Sequence, residues 1–251
     1  MATVKSAERT LRLLKIIVHN RNGMLFTEIQ MALGMPKSST HSLIQELIES
    51  DYLMYSDTTN RYYVGSEFVK ICAICLNGTD LLNEFQILSS ELAKRIGQTT
   101  HVSALDRCNI LYMAKYETTP GISSMNAVGF QIPANCTATG KMLLSQYSNE
   151  QVIDLYKDSS QLPMLTERSI NRIDDLIKQL DEVRKQGYAL EMGEAKEFAA
   201  CIAMPLYQKN KMIAAFSVTY SLYEFQTANM EEITAIMKEY KEITEQRLVT
   251  V

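Results

Sequence analysis

Two short runs of polar residues in this chain have the composition of binding sites. Residues 37–40 read KSST and residues 135–140 read NCTATG, and an apolar helical pattern follows each run. Backbone N–H groups at the start of a helix attract anions, because the first donors of a helix have no partner within it. The first run therefore predicts contacts to phosphates and base edges in a major groove. The second predicts a site for a carboxylate.

Small polar residues at alternating positions of two predicted strands suit the wall of a pocket. Cys201 and Ala203 share one face of the first strand, and Ser217 and Thr219 share one face of the next. Ligand pockets are mostly apolar and need only a few polar groups for orientation. The alternative is that Ser217 and Thr219 are ordinary strand residues.

Enzymatic interpretations of these residues each lack a necessary partner. The Gly-Lys pair at 140–141 resembles part of a phosphate-binding loop. That motif requires Gly at position 135 and Ser or Thr at position 142, where this chain has Asn135 and Met142. A Cys201 nucleophile needs a nearby histidine base, and His101 is the only histidine in the same half of the sequence. The sequence also has no G-x-S-x-G motif. We therefore expect no enzyme, with catalysis by Cys201 as the less favoured alternative.

The Cys72-x-x-Cys75 pair raises the question of a metal site. A zinc ribbon needs a second Cys or His pair at matching spacing, which the sequence lacks, and this pair lies within an apolar helical pattern. We expect both cysteines to be buried as small hydrophobic residues, and we expect no metal and no cofactor. The five cysteines are scattered and odd in number, which fits reduced cytoplasmic thiols.

The first polar run lies in a predicted helix-turn-helix motif over residues 25–49. Thr27 is placed to cap the first helix, Gly34 to end it in the left-handed conformation, and Pro36 to open the second. The second helix has one apolar stripe at helical spacing. Its opposite face carries Ser38, Ser39, Ser42, Gln45, Glu46 and Glu49.

A predicted β-hairpin over residues 52–64 follows the second helix. A hairpin in this position is a wing, and Arg61 stands at its return, where a cation can reach a neighbouring groove or phosphate. Residues 1–65 hold seven Lys or Arg against six Asp or Glu. A domain so weakly basic needs dimerisation for useful affinity. A winged domain that serves only protein contacts is an alternative.

The remaining residues predict an α+β domain. Helical patterns that end at Gly97 and Gly187, and a closing helix around Met237, bracket several strand-like runs. This part holds 18 Lys or Arg against 23 Asp or Glu, so it is no candidate for a second nucleic-acid surface. The chain has no apolar run long enough to span a membrane and no apolar signal segment at its start, so we expect a cytoplasmic protein.

Both halves resemble the IclR family of bacterial transcriptional regulators. The similar segments are SAERTLRLLKII, GMPKSSTHSLIQELIESDYL and NRYYVG in the first half, and IPANCTATGKMLLS, VRKQGYALE and CIAMPLYQKNKMIAAFSVT in the second. The resemblance implies dimers or pairs of dimers, a GAF-like domain that binds small organic acids, and an acidic pocket position at Glu191. The chain departs from the family pattern at Ser42, where Arg is common, at Asn135, where His is common, and at Phe198 and Ala200.

We predict an α+β protein with a winged helix-turn-helix DNA-binding domain at 1–65, a linker helix at 66–80 and a GAF-like α/β effector-binding and oligomerisation domain at 81–251. The expected partners are double-stranded operator DNA, a small organic-acid effector and further copies of the chain, with no membrane. The candidate DNA contacts are Lys37, Ser38, Ser39, Thr40, Ser42, Gln45 and Arg61. The candidate effector contacts are Asn135, Thr137, Ala138, Thr139, Gly140, Glu191, Cys201, Ser217 and Thr219.

Overall fold

Three helices open the chain and share one apolar core. The computed structural model describes residues 4–77, 80–118 and 127–249. Helix α1 spans Lys5–His19, α2 spans Phe26–Leu33 and α3 spans Lys37–Glu49. Gly34 ends α2 with φ of 64°, in the left-handed conformation predicted for it. The fully buried side chains of this core include Leu13, Ile17, Ile29, Ile44 and Leu47.

The start of α2 differs from the predicted one. The helix begins at Phe26, so Thr27 lies inside it and does not cap it. The Glu28 carboxylate accepts a 2.7 Å hydrogen bond from the backbone N–H of Leu25. A carboxylate in the first turn also interacts favourably with the helix dipole. Glu28 therefore stabilises the end that the sequence pattern assigned to Thr27.

A two-stranded hairpin follows α3 and forms the wing. Strand β1, Leu53–Ser56, pairs antiparallel with β2, Arg61–Val64. Met24, in the α1–α2 connection, bridges to Tyr62 through two backbone hydrogen bonds of 2.9 and 2.8 Å. The neighbouring Gly23 has φ of 69°, and a Cβ there would lie 2.7 Å from the Tyr63 ring. The predicted winged helix-turn-helix is confirmed.

Helix α4, Ser66–Asn77, begins directly after the wing and exposes much of its apolar surface. Val69 is 69% exposed and Ile74 is 72% exposed. Cys72 is also exposed, so its predicted burial is wrong. The side chain of Cys75 lies outside the described part of the chain.

The second half is built on a six-stranded antiparallel sheet. In order across the sheet the strands are β5-β4-β3-β8-β7-β6. Strands β3 and β4 form one antiparallel hairpin, and β7 and β8 form another. The strand bounds are β3 Thr99–Asp106, β4 Asn109–Tyr116, β5 Gln131–Pro133, β6 Ala189–Met192, β7 Ala199–Gln208 and β8 Lys211–Ser221.

Helices cover both faces of this sheet. Helices α5, Asp80–Ile96, and α10, Met230–Val249, pack on one face over a core that contains Phe216 and Val218. Helices α6, Ala138–Leu144, and α8, Ile173–Gln186, belong to the core on the other face. Two short helices, α7 at Asn149–Leu155 and α9 at Leu222–Thr227, were not predicted. The expected α+β class is confirmed.

The chain divides into two compact units, Met1–Thr79 and Asp80–Val251. The first contains the winged domain and α4, and the second contains the sheet with its helices. None of the helices in the described ranges is both long enough and apolar enough to cross a membrane.

Candidate DNA-contact and effector sites

The solvent face of α3 presents most of the predicted DNA contacts. Lys37, Ser38, Ser39, Ser42 and Gln45 are all exposed. No side chain caps α3, and within the described residues nothing accepts a hydrogen bond from the N–H groups of Ser38 and Ser39. The first turn therefore offers backbone donors, hydroxyl groups and one cation on the same end of the helix, which is the chemistry that binds a DNA phosphate.

Thr40 belongs to the core of the winged domain, and its prediction as a DNA contact is wrong. Its side chain is fully buried, and its hydroxyl donates a 3.1 Å hydrogen bond to the Pro36 carbonyl. The reason is helical geometry: residues four and seven positions further along a helix lie on the same face. Those residues are Ile44 and Leu47, which are both buried.

Arg61 holds the wing against α2 and is not a cation that reaches out from the wing. Its guanidinium donates to the Gly23 carbonyl at 2.9 Å and to the Glu28 carboxylate at 3.2 Å. The same oxygen of Glu28 accepts from the Leu25 N–H. The guanidinium is thus anchored through its Nη1 and its charge is paired with Glu28, which argues against the predicted DNA contact. The turn of the wing itself carries no Lys or Arg between Ser56 and Arg61.

Strand register brings the predicted polar residues of the second unit together. Thr219 of β8 pairs with Cys201 of β7, with 3.3 Å between the sulfur and the hydroxyl oxygen. Ser217 pairs with Ala203 on one side and with His101 of β3 on the other. Ala203 and Cys201 pack in the α6 core, so this polar row lies on the sheet face that α6 covers.

Two polar residues of β3 that the sequence reading missed lie on the same face. His101 is 3% exposed, and burial together with the charges of Lys115 and Lys196 lowers its pKa to about 3. It is therefore a neutral imidazole at physiological pH. Ser103 is fully buried, and within the described ranges its hydroxyl has no hydrogen-bond partner. The alternation of side chains along a strand could have predicted this, since residues 101 and 103 lie on the same strand face.

The start of α6 combines structural residues with two unused donors. The Thr137 hydroxyl accepts from the Gly140 N–H at 2.9 Å and so caps the helix. A Cβ at Gly140 would lie 2.1 Å from the Ala134 carbonyl oxygen, so only glycine fits this approach. The backbone N–H groups of Ala138 and Thr139 have no partner among the described residues.

The amide hydrogens of Asn135 and the hydroxyl of Thr137 are engaged within the domain, which argues against the predicted effector contacts through these groups. The Asn135 amide donates to the Pro163 carbonyl at 2.8 Å and to the Ile170 carbonyl at 2.9 Å, while its amide oxygen is buried with no partner among the described residues. Both of its hydrogens thus hold the segment that precedes α8. The Thr137 hydroxyl caps α6 and lies 3.4 Å from the Ala134 carbonyl.

Glu191 lies on β6 opposite Cys201 and organises the turn that follows it. One of its carboxylate oxygens accepts from the N–H groups of Glu194, at 2.5 Å, and of Ala195, at 3.0 Å. The other oxygen is buried with no partner in the part of the chain described. Burial raises the pKa of Glu191, and burial with the neighbouring Glu191 raises the pKa of the Cys201 thiol well above its usual range. A thiol held protonated is a poor nucleophile.

A buried ion pair supports this turn and was not found from the sequence. The Lys141 ammonium lies 2.5 Å from the Glu194 carboxylate and donates to the Leu190 carbonyl at 3.2 Å. The side chain of Lys141 is 1% exposed and that of Glu194 is 9% exposed. The pair ties α6 to the end of β6.

Within residues 4–77, 80–118 and 127–249, no three His, Cys, Asp or Glu side chains come together as a metal site would require.

Comparison with known families accounts for both units. Residues 6–57 match the IclR helix-turn-helix domain, and residues 73–243 match the family described as bacterial transcriptional regulator IclR C-terminal. The two matches together cover most of the chain. This protein is a DNA-binding transcriptional regulator, and it belongs to the IclR family.

Individual relatives support the same assignment at full length. The HTH-type transcriptional regulator XynR of Escherichia coli K12 is 27% identical over 236 residues, which cover 92% of this chain and 93% of XynR. The regulator KdgR of the same organism is 26% identical and covers 84% of this chain and 80% of its own length. These relatives are regulators and not enzymes.

A solved structure shares the fold. It is that of an IclR homologue from Microbacterium hydrocarbonoxydans complexed with 4-hydroxybenzoate, and the TM-score is 0.84 at 20% identity. The superposition covers 98% of this chain and 100% of the homologue.

Proposed function

We propose that this regulator binds a small organic acid between α6 and the sheet and that the bound acid changes its affinity for an operator. One observation carries the proposal: hydroxyl, thiol and imidazole groups from β3, β7 and β8 lie on the sheet face beneath α6. A row of polar groups at this depth costs free energy unless its hydrogen bonds are satisfied. Among the described residues the buried Ser103 hydroxyl of this face has no partner, and a bound polar ligand supplies one.

The carboxylate of the effector docks at the first turn of α6. Among the described residues the N–H groups of Ala138 and Thr139 have no partner there, whereas the Gly140 N–H is bound to Thr137. The body of the effector contacts Cys201, Ser217 and Thr219. The complex of the structural neighbour with 4-hydroxybenzoate supports an acid of this size, and the acid for this chain is a separate question.

The DNA contacts come from the exposed end of α3. A phosphate binds the N–H groups of Ser38 and Ser39, which have no acceptor among the described residues, together with the Lys37 ammonium. Ser42 and Gln45 lie one turn and two turns further along the helix for base edges. Ser42 donates its hydroxyl to the Ser38 carbonyl at 3.2 Å, so it meets DNA chiefly as an acceptor.

The regulator acts as a homo-oligomer in the cytoplasm, where its operator lies. A winged domain with a single excess positive charge has little nonspecific affinity, so two domains on paired half-sites are needed. Exposed apolar side chains within the first unit suit contact with a second copy. They are Leu11 and Val18 on α1 and Val69 and Ile74 on α4, each between 47% and 72% exposed.

Calorimetry on the full chain tests the effector site. A thermal-shift screen of small carboxylates and phenolic acids selects the probe, because an acid at 100 times its Kd adds about 2.7 kcal/mol to the free energy of unfolding. Titration of that acid then compares wild type with Ser217→Leu and Cys201→Phe, which overfill the site. Ser159→Leu, in an exposed loop, is the matched control.

The expected result is loss of binding in both overfilled variants and wild-type binding in the control. Linkage adds a second requirement: operator DNA must change the affinity for the acid by the same factor by which the acid changes the affinity for the operator. Folded Ser217→Leu and Cys201→Phe proteins that bind the acid as wild type does would place the site elsewhere.

A further inference from the structure

The carboxylate of Glu191 has one oxygen that the described part of the chain leaves without a partner. The residue is 1% exposed. Its Oε1 accepts from the backbone N–H groups of Glu194, at 2.5 Å, and of Ala195, at 3.0 Å. Its Oε2 is buried and has no hydrogen-bond partner within residues 4–77, 80–118 and 127–249. A buried carboxylate oxygen without a donor costs free energy, so a bound molecule that donates to Oε2 stabilises the protein.

Strand register places this side chain at the proposed effector site. Glu191 pairs with Cys201 of β7, and directly opposite residues of an antiparallel pair share one face of the sheet. Cys201 packs in the α6 core, so that face is the one α6 covers. Helix α6 is fixed next to Glu191, because the Lys141 ammonium donates to the Leu190 carbonyl at 3.2 Å. The Glu191 side chain therefore lies between α6 and the sheet, where the effector is proposed to bind.

The polar side chains beside Glu191 do not supply a strong donor to Oε2. The Cys201 thiol stands opposite on β7, but a thiol is a weak donor, and its sulfur lies 3.3 Å from the Thr219 hydroxyl oxygen. The Lys141 ammonium is bound to the Leu190 carbonyl and to the Glu194 carboxylate. The described residues thus leave this position to a donor from the ligand.

A hydroxyl group fits this position better than an ammonium group. Burial raises the pKa of Glu191, and the two N–H bonds to Oε1 act in the opposite direction by favouring the charged carboxylate, whose Oε2 is then an acceptor. A hydroxyl donates one hydrogen and can also accept one. An ammonium brings three hydrogens, whereas Glu191 offers one unpartnered oxygen, so burial would leave the other donors without hydration.

We propose that Glu191 determines effector specificity and that the effector is a hydroxy acid. Its carboxylate occupies the proposed site at the N–H groups of Ala138 and Thr139, and one of its hydroxyl groups donates to Oε2 of Glu191. The inference rests on the proposed effector site and narrows its ligand to acids that carry a hydroxyl group.

Triplets of acids with the same carbon skeleton test this contact. Each triplet consists of a hydroxy acid, its deoxy acid and its oxo acid. The probes are lactate, propionate and pyruvate; 3-hydroxybutyrate, butyrate and acetoacetate; and mandelate, phenylacetate and phenylglyoxylate. Alanine, 3-aminobutyrate and phenylglycine carry an amino group in place of the hydroxyl.

Calorimetry on the full chain compares wild type with Glu191→Gln. In this variant the amide oxygen can still accept from the N–H groups of Glu194 and Ala195, and the amide nitrogen replaces Oε2, so that a donor stands where an acceptor was. Glu182→Gln removes a carboxylate on α8 that is 67% exposed and serves as the matched control.

Wild type is expected to bind the hydroxy acid of at least one triplet about tenfold or more tightly than the deoxy and oxo acids, because neither can donate to Oε2. In Glu191→Gln the preference for the hydroxy acid over the oxo acid should fall about tenfold, since the amide now donates to the oxo group. A residue that only holds the turn would change the affinity for all three acids alike. Glu182→Gln should keep the wild-type ranking.

Four results overturn the inference. They are equal affinity of wild type for the hydroxy and deoxy acids of every triplet, an unchanged ranking in folded Glu191→Gln, tighter binding of the amino acids than of the hydroxy acids, and no binding by any hydroxy acid. If Glu191→Gln does not fold, the wild-type ranking decides by itself.

The proposed effector site is tested separately by Ser217→Leu. If acids bind wild type with or without a hydroxyl group and Ser217→Leu abolishes their binding, only the hydroxyl contact is wrong. If Ser217→Leu binds every acid as wild type does, the proposed effector site is wrong too.

Discussion

The buried Lys141–Glu194 pair gives the sharpest stability prediction. Lys141→Met keeps the length and apolar stem of the side chain but removes the ammonium. Glu194 would then keep a buried carboxylate without its counter-ion. The second oxygen of that carboxylate already has no hydrogen-bond partner among the described residues. Removing one partner of a buried ion pair costs about 3–5 kcal/mol, because the remaining charge is left uncompensated.

The pair is deep enough for that range to apply. The side chains of Lys141 and Glu194 are 1% and 9% exposed, and their charged atoms are 2.5 Å apart. Solvent therefore screens the interaction little. The double variant Lys141→Met, Glu194→Gln removes both charges. Its loss in free energy of unfolding should therefore be smaller than the sum of the losses in the two single variants.

Urea unfolding followed by far-ultraviolet circular dichroism measures these free energies at one fixed protein concentration. Lys185→Met is the matched control, because Lys185 and its partner Glu182 are 70% and 67% exposed and such surface pairs contribute at most about 1 kcal/mol. A Lys141→Met protein no less stable than Lys185→Met would refute the reasoning, as would strict additivity in the double variant.

Three further predictions follow from single residues. Gly140→Ala should cost at least about 1–3 kcal/mol in urea unfolding, because its Cβ would lie 2.1 Å from the Ala134 carbonyl oxygen; wild-type stability would contradict that approach. Lys37→Ala should reduce the salt dependence of operator binding by about one phosphate contact, whereas Arg61→Ala should leave the slope unchanged; a lower slope for Arg61→Ala would show that it does reach DNA. The pKa of His101 is lowered to about 3, so the unfolded chain binds this proton more readily than the native one. Stability from this residue is complete above about pH 6.5 and falls toward pH 3, by at most about 1.4 kcal/mol per pH unit. His101→Gln should flatten that part of the stability curve, and an unchanged slope would argue against a neutral His101.

Sequence patterns predicted the elements with strong local signals. Gly34 and Gly187 end helices in the left-handed conformation because a glycine meets no Cβ penalty there. The wing and the last hairpin followed from alternating strands around polar turns. The cap predicted at Thr27 lies two residues after the actual N-cap, Leu25, whose N–H is bound by the Glu28 carboxylate. Nothing in the local pattern distinguishes these two positions.

The candidate sites were harder to predict because partners distant in sequence decide them. Arg61 has the charge of a DNA contact in the sequence, and only the fold shows that its Nη1 is bound to Gly23 and Glu28. Asn135 is a plausible ligand contact until the 163–170 segment takes its amide. The sequence places His101 in the same half as Ser217, and only the strand register sets the two side by side. A β-bulge after Val102 sets Lys115 opposite His101 and Tyr112 opposite Ser103, and it has no signature in the alternation of β4.

Sequence discrimination by α3 is the most direct test of this regulator's function. Selection from a random duplex pool supplies a preferred site, and fluorescence anisotropy at one salt concentration compares it with a scrambled duplex. The wild-type chain should prefer the selected duplex by about a thousandfold or more, and Ser39→Ala with Gln45→Ala should lose most of that preference. Equal affinity for both duplexes, or full discrimination by the double variant, would contradict the account.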